Sequence, residues 1–162
     1  MTAPASETTR DYSRANGADR ADSGGLKGVE IALLLVGVLG AAGLILSEFS
    51  TLFSVSVPGR PGRSVSGHHQ HAYALALDGV VALWLLFNAG RGMRLAMLGL
   101  GCMGLLALGI AVIGDLGDVH STGVLGRLFE NAQAQPGAGF YEETLGAALL
   151  LISGGGLLLY QR

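Results

Sequence analysis

The chain has 162 residues, of which 50% are hydrophobic and only 14% are charged, and its formal net charge is −2. An average soluble domain carries about 25% charged residues, so this charge is too sparse for the surface of a soluble protein. A chain this close to neutrality also lacks the basic surface that nucleic-acid binding requires. The composition therefore predicts an integral membrane protein.

The first segment, residues 1–27, mixes small, polar and oppositely charged side chains. Such a composition cannot bury enough apolar surface to fold, so we expect a disordered cytoplasmic tail. The apolar stretch that follows is too long for the core of a signal peptide, which makes it a retained anchor. Residues 28–162 are predicted to form one transmembrane domain.

Four apolar stretches approach the roughly 20 residues that a membrane-spanning helix needs. They cover about residues 29–49, 73–88, 95–114 and 140–160, with outer loops at about 50–72 and 115–139. The second stretch is the shortest, because Asp78 interrupts it and Asn88 ends it; without it the chain would have three spans. The pattern predicts an all-α, integral membrane four-helix bundle.

Basic residues set the orientation of the bundle, because cytoplasmic segments are enriched in Lys and Arg. Seven lie on the side of the two termini, and three lie on the other side. The seven are Arg10, Arg14, Arg20, Lys27, Arg91, Arg94 and Arg162, and the three are Arg60, Arg63 and Arg127. We therefore predict a multi-pass protein of the inner (plasma) membrane with both termini cytoplasmic.

Each predicted span carries an acid near its outer end, in line with glycine or alanine at helical spacing. These acids are Glu48, Asp78, Asp115 and Glu142, whereas the adjacent Glu143 shares its face with Leu150. Small residues mark the faces where membrane helices approach closely, so the four acids are predicted to converge. Part of this alignment is expected by chance, because the chain contains 27 glycines.

The stretch HHQHAYALALDG places His68, His69 and His71 at the start of the second span, ahead of Asp78. Imidazole and carboxylate are ligands for Zn²⁺, Mn²⁺ or Fe, so these four residues are a candidate metal site. Two other interpretations stay open. The histidines are a solvated cluster at the water interface, or they pair with the acids in a pH-dependent way.

Two further motifs are relevant to ligand binding. The stretch GDLGDVHSTG carries Asp115 and Asp118 at a helix end, but it lacks the spacing and the terminal glutamate of an EF-hand loop. GLGCMG matches the dinucleotide-binding pattern, but it lies inside an apolar span with no preceding strand, which argues against that function. Cys102 is the only cysteine, so no internal disulfide can form.

Three stretches, SGHHQHAYALALDG, GDLGDVHSTG and AQPGAGFYEETLGA, together resemble a class of small four-span membrane proteins encoded in high-GC actinobacterial genomes. The resemblance extends from about Val29 to the end of the chain. It implies four spans with acidic motifs on the outer side. It implies no activity, cofactor or site residue.

The leading functional hypothesis is a site for a cation or a proton at the outer end of the bundle, serving transport or sensing. Its candidate residues are Asp78, His71, Asp115, Asp118, Glu142 and Glu48, and its candidate cofactor is a divalent metal ion. The alternative is a structural or accessory subunit without a ligand. An enzyme ranks third, because no nucleophile is indicated. Expected partners are the lipid bilayer and either further copies of the chain or a larger membrane complex.

Overall fold

The computed structural model describes residues 8–57, 60–116, 122–123 and 132–160, most of them helical. The helices are α1 (Thr8–Ser47), α2 (Gly67–His71), α3 (Ala74–Ala89), α4 (Arg94–Gly109) and α5 (Ala138–Tyr160). Helix α4 continues directly into a π-helix, Ile110–Asp115, here called the π segment. The chain divides into two units, Met1–Ala32 and Leu33–Arg162, and every element after α1 belongs to the second.

Three helical segments are long and apolar enough to cross a membrane: Lys27–Ser47, Arg94–Asp115 and Ala138–Tyr160. Helix α3 is apolar but shorter, with 16 residues. These bounds agree with the predicted stretches to within about two residues. Large apolar side chains such as Ile113, Leu95 and Leu159 are exposed on the helices, as lipid contact requires.

The helices of the second unit approach each other at small residues. A Cβ atom added at Gly40 of α1 would lie 2.8 Å from the carbonyl oxygen of Gly146 in α5, and one added at Gly104 of α4 would lie 2.5 Å from the backbone nitrogen of Leu151. Gly79 of α3 meets the backbone of α1 in the same way. The small-residue faces noted in the sequence are therefore contact surfaces between helices.

Larger apolar side chains fill the space between these contacts. Leu44, Leu75, Met97, Leu100 and Leu150 belong to one buried cluster that draws on α1, α3, α4 and α5. This core fixes the helices relative to one another, and with them the polar side chains at their ends.

The segments predicted as outer loops contain a small antiparallel sheet, which the all-α prediction omitted. Its strands are β1 (Thr51–Val57), β2 (Arg60–Ser66), β3 (Thr122–Gly123) and β4 (Ala132–Pro136), in the order β2-β1-β4-β3. The sequence of β1, TLFSVSV, is rich in β-branched and aromatic residues, which favour strands. Strand β1 pairs with β4, which lies about 80 positions later, and this pairing satisfies backbone groups of β1. The all-α prediction is therefore wrong for these segments.

Helix α1 begins at Thr8, whereas residues 1–27 were predicted to be a disordered tail. Extension of an existing helix adds one hydrogen bond for each residue that is fixed and avoids the cost of nucleation. The apolar part of α1 can therefore extend the helix into a polar segment that would not start one. Residues 1–7 of the predicted tail lie outside the described residues.

Candidate metal centre

His71, Asp115 and Glu143 meet at one end of the helix bundle. Each offers one ligand atom, and these three atoms lie within 4.8 Å of one another. The Nε2 atom of His71 lies 3.1 Å from Oδ1 of Asp115. Two donor atoms bound at about 2.1 Å to the same ion lie roughly 3.0 to 3.4 Å apart, so this pair has nearly the spacing of neighbouring metal ligands.

Most polar atoms of this group have no hydrogen-bond partner among the described residues. The buried atoms without a partner are Nδ1 of His71, Oδ2 of Asp115 and both carboxylate oxygens of Glu143. Asp115 is 1% exposed and Glu143 is fully buried. A buried carboxylate that is neither paired nor hydrogen-bonded is strongly unfavourable, so the group requires a cation or a proton.

The neighbouring acids all raise the pKa of His71. A hydrogen bond from Nε2–H to Asp115 raises the pKa of His71 above its ordinary value, burial opposes the rise, and the negative charges of Asp115, Glu143 and Glu48 add to it. The imidazole therefore lies in a negative potential. The same potential attracts a metal cation, which competes with the proton for the ring.

Local backbone features place the three side chains. Helix α2 ends at His71 because Ala72 and Tyr73 adopt left-handed conformations, with φ angles of 50° and 67°. Such angles are unfavourable for non-glycine residues and are found mainly at functional sites and turns. The π segment aligns Asp115 with the buried Ala111, and short π-helices are frequent at functional sites.

Glu48 is also fully buried, but it is not one of the three residues whose ligand atoms lie within 4.8 Å of one another. It follows the last residue of α1, and its Oε1 accepts a hydrogen bond of 2.9 Å from the backbone nitrogen of Leu75. Because Leu75 is in the first turn of α3, Glu48 satisfies a backbone donor at the start of that helix. Its second oxygen, Oε2, is buried without a partner among the described residues.

The other two histidines of the HHxH pattern lie outside the group of three. His68 stacks on Tyr73 and approaches the carbonyl oxygen of Glu48 through Nδ1. His69 is exposed and approaches the hydroxyl of Ser66. Of the three histidines in the candidate metal site, only His71 thus belongs to the group.

The remaining predicted acids have separate environments. Asp78 is 8% exposed, lies within α3 and is not a member of the group, although its Oδ2 has no partner in the described part of the chain. Glu142 accepts a hydrogen bond of 2.6 Å from the hydroxyl of Ser50, which ties α5 to the residue before β1. Asp118 lies outside the described residues.

Glu143 was not among the predicted site residues. Neighbouring positions on a helix differ by about 100°, so Glu142 and Glu143 point in different directions, and only one of them can face the group. Both faces carry glycine or alanine, which left the sequence without a discriminating signal. In the structure, Leu150 lies on the face of Glu143 two turns later and is fully buried, so this is the face that points into the core.

One imidazole and two carboxylates within reach of one point are ligand types that first-row divalent metal ions accept. Two ionised carboxylates match the charge of one divalent cation, and a neutral imidazole adds none. The buried atoms without hydrogen-bond partners would then become ligands or neighbours of the ion. No protein-family model matches the chain, and comparisons with curated proteins and with solved structures find no similar protein.

Proposed function

We propose that this is an integral membrane protein that holds a divalent cation between His71, Asp115 and Glu143, as part of transport or sensing. The observation that carries the proposal is the convergence of three buried ligand atoms, with carboxylate oxygens that have no hydrogen-bond partner among the described residues. A purely structural cluster would be expected to satisfy those oxygens with backbone or side-chain donors.

The proposal includes a four-span topology, in which α3 also crosses the membrane and both termini are cytoplasmic. Four helix ends then lie on the outer side: the end of α1, the start of α3, the end of the π segment and the start of α5. The cation group would face the exterior, below the sheet formed by β1 to β4. The excess of Arg and Lys on the side of the termini supports this orientation. The resemblance to small four-span actinobacterial membrane proteins stays a prediction.

The first test is elemental analysis of the purified full-length protein by plasma mass spectrometry. We expect close to one divalent ion per chain in the wild type, and at least a tenfold lower content in His71→Ala and Glu143→Gln. The matched control is Glu142→Gln, which changes the neighbouring acid outside the group and should keep the wild-type content.

Metal absent from the wild type, both as purified and after incubation with Mn²⁺, Fe²⁺ or Zn²⁺, would contradict the proposal. Equal metal contents in wild type and both site variants would contradict the assignment of the residues. In the first case, the alternative of an accessory subunit predicts co-purification with a larger membrane complex in mild detergent.

A further inference from the structure

Only one of the two carboxylate oxygens of Glu48 has a structural role. Oε1 is fixed by the backbone nitrogen of Leu75 at 2.9 Å, whereas Oε2 is buried without a partner among the described residues. A helix-capping carboxylate needs only one oxygen for the cap. The second oxygen is therefore available for another interaction, and the side chain is fully buried.

The backbone holds Glu48 against the segment that carries His71. The carbonyl oxygen of Glu48 accepts a hydrogen bond of 2.9 Å from the backbone nitrogen of His68, and its carboxylate accepts one from Leu75. His71 lies between these two attachment points in the chain.

From this arrangement we propose that Glu48 is the fourth ligand of the cation group, and that the completed site takes a divalent transition ion of the Mn²⁺ or Fe²⁺ type. The inference rests on the proposed function of the group. One ligand would then come from each of four segments: the end of α1, α2, the π segment and α5.

The ligand chemistry favours divalent transition ions over Cu(I), Ca²⁺ and Mg²⁺. Three carboxylates and one imidazole contain no sulfur, which disfavours Cu(I) and other ions that prefer thiolate or thioether ligands. The imidazole disfavours Ca²⁺ and Mg²⁺, which prefer oxygen ligands. Manganese and iron accept both nitrogen and carboxylate oxygen. The extra negative charge of Glu48 lies at the N-terminus of α3, where the helix dipole favours an anion.

The test is a Mn²⁺ titration of the metal-free, full-length protein in detergent, followed by the loss of the electron paramagnetic resonance signal of free Mn²⁺. The wild type should bind one ion. Glu48→Gln keeps an oxygen that can accept the hydrogen bond from Leu75 but removes the anionic ligand, and we expect its affinity to fall at least tenfold. Glu48→Asp withdraws the carboxylate by one methylene and should also weaken binding at least tenfold. Glu142→Gln is the matched control, with wild-type affinity.

The outcomes separate this inference from the proposed function. No Mn²⁺ binding by the wild type would overturn both. Wild-type affinity in Glu48→Gln would leave the group of three intact and reduce Glu48 to a helix cap. If Glu48→Gln loses Mn²⁺ affinity while Glu48→Asp keeps the wild-type affinity, Glu48 acts through its charge alone. Displacement of bound Mn²⁺ by a comparable concentration of Ca²⁺ would overturn the class of ion.

Discussion

Glu143 buries both carboxylate oxygens without a hydrogen bond from the described residues. Under the proposed function, this side chain would link stability to cation binding. In the metal-free protein, Glu143 must either bury a charge or take up a proton, and Glu143→Gln avoids both costs. We therefore expect the variant to be at least as stable as the wild type in the presence of a chelator. A gain of about 1 kcal/mol would raise Tm by about 2 to 4 °C.

With metal present, the wild type should be more stable than Glu143→Gln. A ligand that binds only the folded state stabilises it by about 2.7 kcal/mol at a concentration 100 times its Kd, and Glu143→Gln should lose this gain. Thermal unfolding with chelator and with Mn²⁺ measures both effects. A variant that is less stable than the wild type in chelator would indicate that Glu143 has a structural partner instead.

His71 gives the site a defined pH dependence. Its pKa is raised, first by the hydrogen bond to Asp115, with further contributions from the charges of Asp115, Glu143 and Glu48. A metal ion can bind the ring only after the proton leaves. Metal affinity should therefore fall by about tenfold per pH unit below the raised pKa of His71, and it should fall further wherever a carboxylate of the group takes up a proton.

Mn²⁺ titrations between neutral and mildly acidic pH test this dependence. The matched control is His69→Ala, which removes an exposed histidine outside the group and should leave the profile unchanged. A flat profile in the wild type would argue that the imidazole does not bind the ion. His71→Ala should bind weakly at every pH, without the decline assigned to the ring.

The members of the site were predictable from the sequence only in part. Asp115 and Glu48 are candidates because helical spacing aligns these acids with small residues at the outer ends of apolar stretches, and His71 is a candidate because imidazole is a metal ligand. His68 and His69 share the local pattern of His71, and the left-handed turn at Ala72 and Tyr73 that ends α2 has no strong sequence signal. The choice between adjacent positions depends on long-range packing, which a single sequence does not contain.

At the scale of helices, the close approach of α4 and α5 depends on glycine. A Cβ at Gly104 would lie 2.5 Å from the backbone nitrogen of Leu151, and backbone cannot move aside as a flexible side chain can. Gly104→Ala should therefore destabilise the protein by roughly 1 to 3 kcal/mol. It should also lower cation affinity, because α4 and α5 position Asp115 and Glu143.

Gly101→Ala is the matched control in the same helix, since a Cβ there would meet nothing within 4 Å. Alanine favours helix over glycine by up to about 1 kcal/mol, so this variant should be equal to or more stable than the wild type. Chemical or thermal unfolding of the two variants in the same detergent measures the difference. If Gly104→Ala and Gly101→Ala are equally stable, α4 and α5 can move apart more easily than the short distance between them implies.

Apolar stretches are local properties of the chain, which explains why the three candidate spans and α3 were predicted within about two residues of their bounds. The sheet was missed because β1 pairs with β4, and that pairing depends on residues far apart in sequence. The π segment was missed because Ile110–Asp115 has the composition of an ordinary helix. For the sheet, the missing information is therefore a contact between distant parts of the chain.

For the whole molecule, the proposed topology predicts on which side of the membrane each turn lies. In a background with Cys102→Ser, a reporter cysteine introduced by Ser56→Cys should react with a membrane-impermeant maleimide in intact cells. One introduced by Arg91→Cys should react only after the membrane is permeabilised. Both positions are exposed in the structure, which makes them matched reporters.

The position of Arg91 decides the number of spans. If α3 does not cross the membrane, Arg91 lies on the same side as Ser56, and both reporters label in intact cells. Labelling of Arg91→Cys alone would invert the proposed orientation. Either result would leave the packing of the helices unchanged but would overturn the topology.

The short length of α3 has a consequence for the surrounding lipid. Its 16 residues extend about 24 Å, whereas the three longer spans of 21 to 23 residues extend about 32 to 35 Å. If α3 crosses the membrane as proposed, this hydrophobic mismatch would thin the adjacent bilayer or draw water and headgroups toward the shorter helix. Such a depression would form where α3 begins at Ala74, beside His71 and Glu48, so the aqueous phase would reach the cation group from that side. Acyl-chain length should therefore affect how fast a cation enters, with slower entry in thicker bilayers.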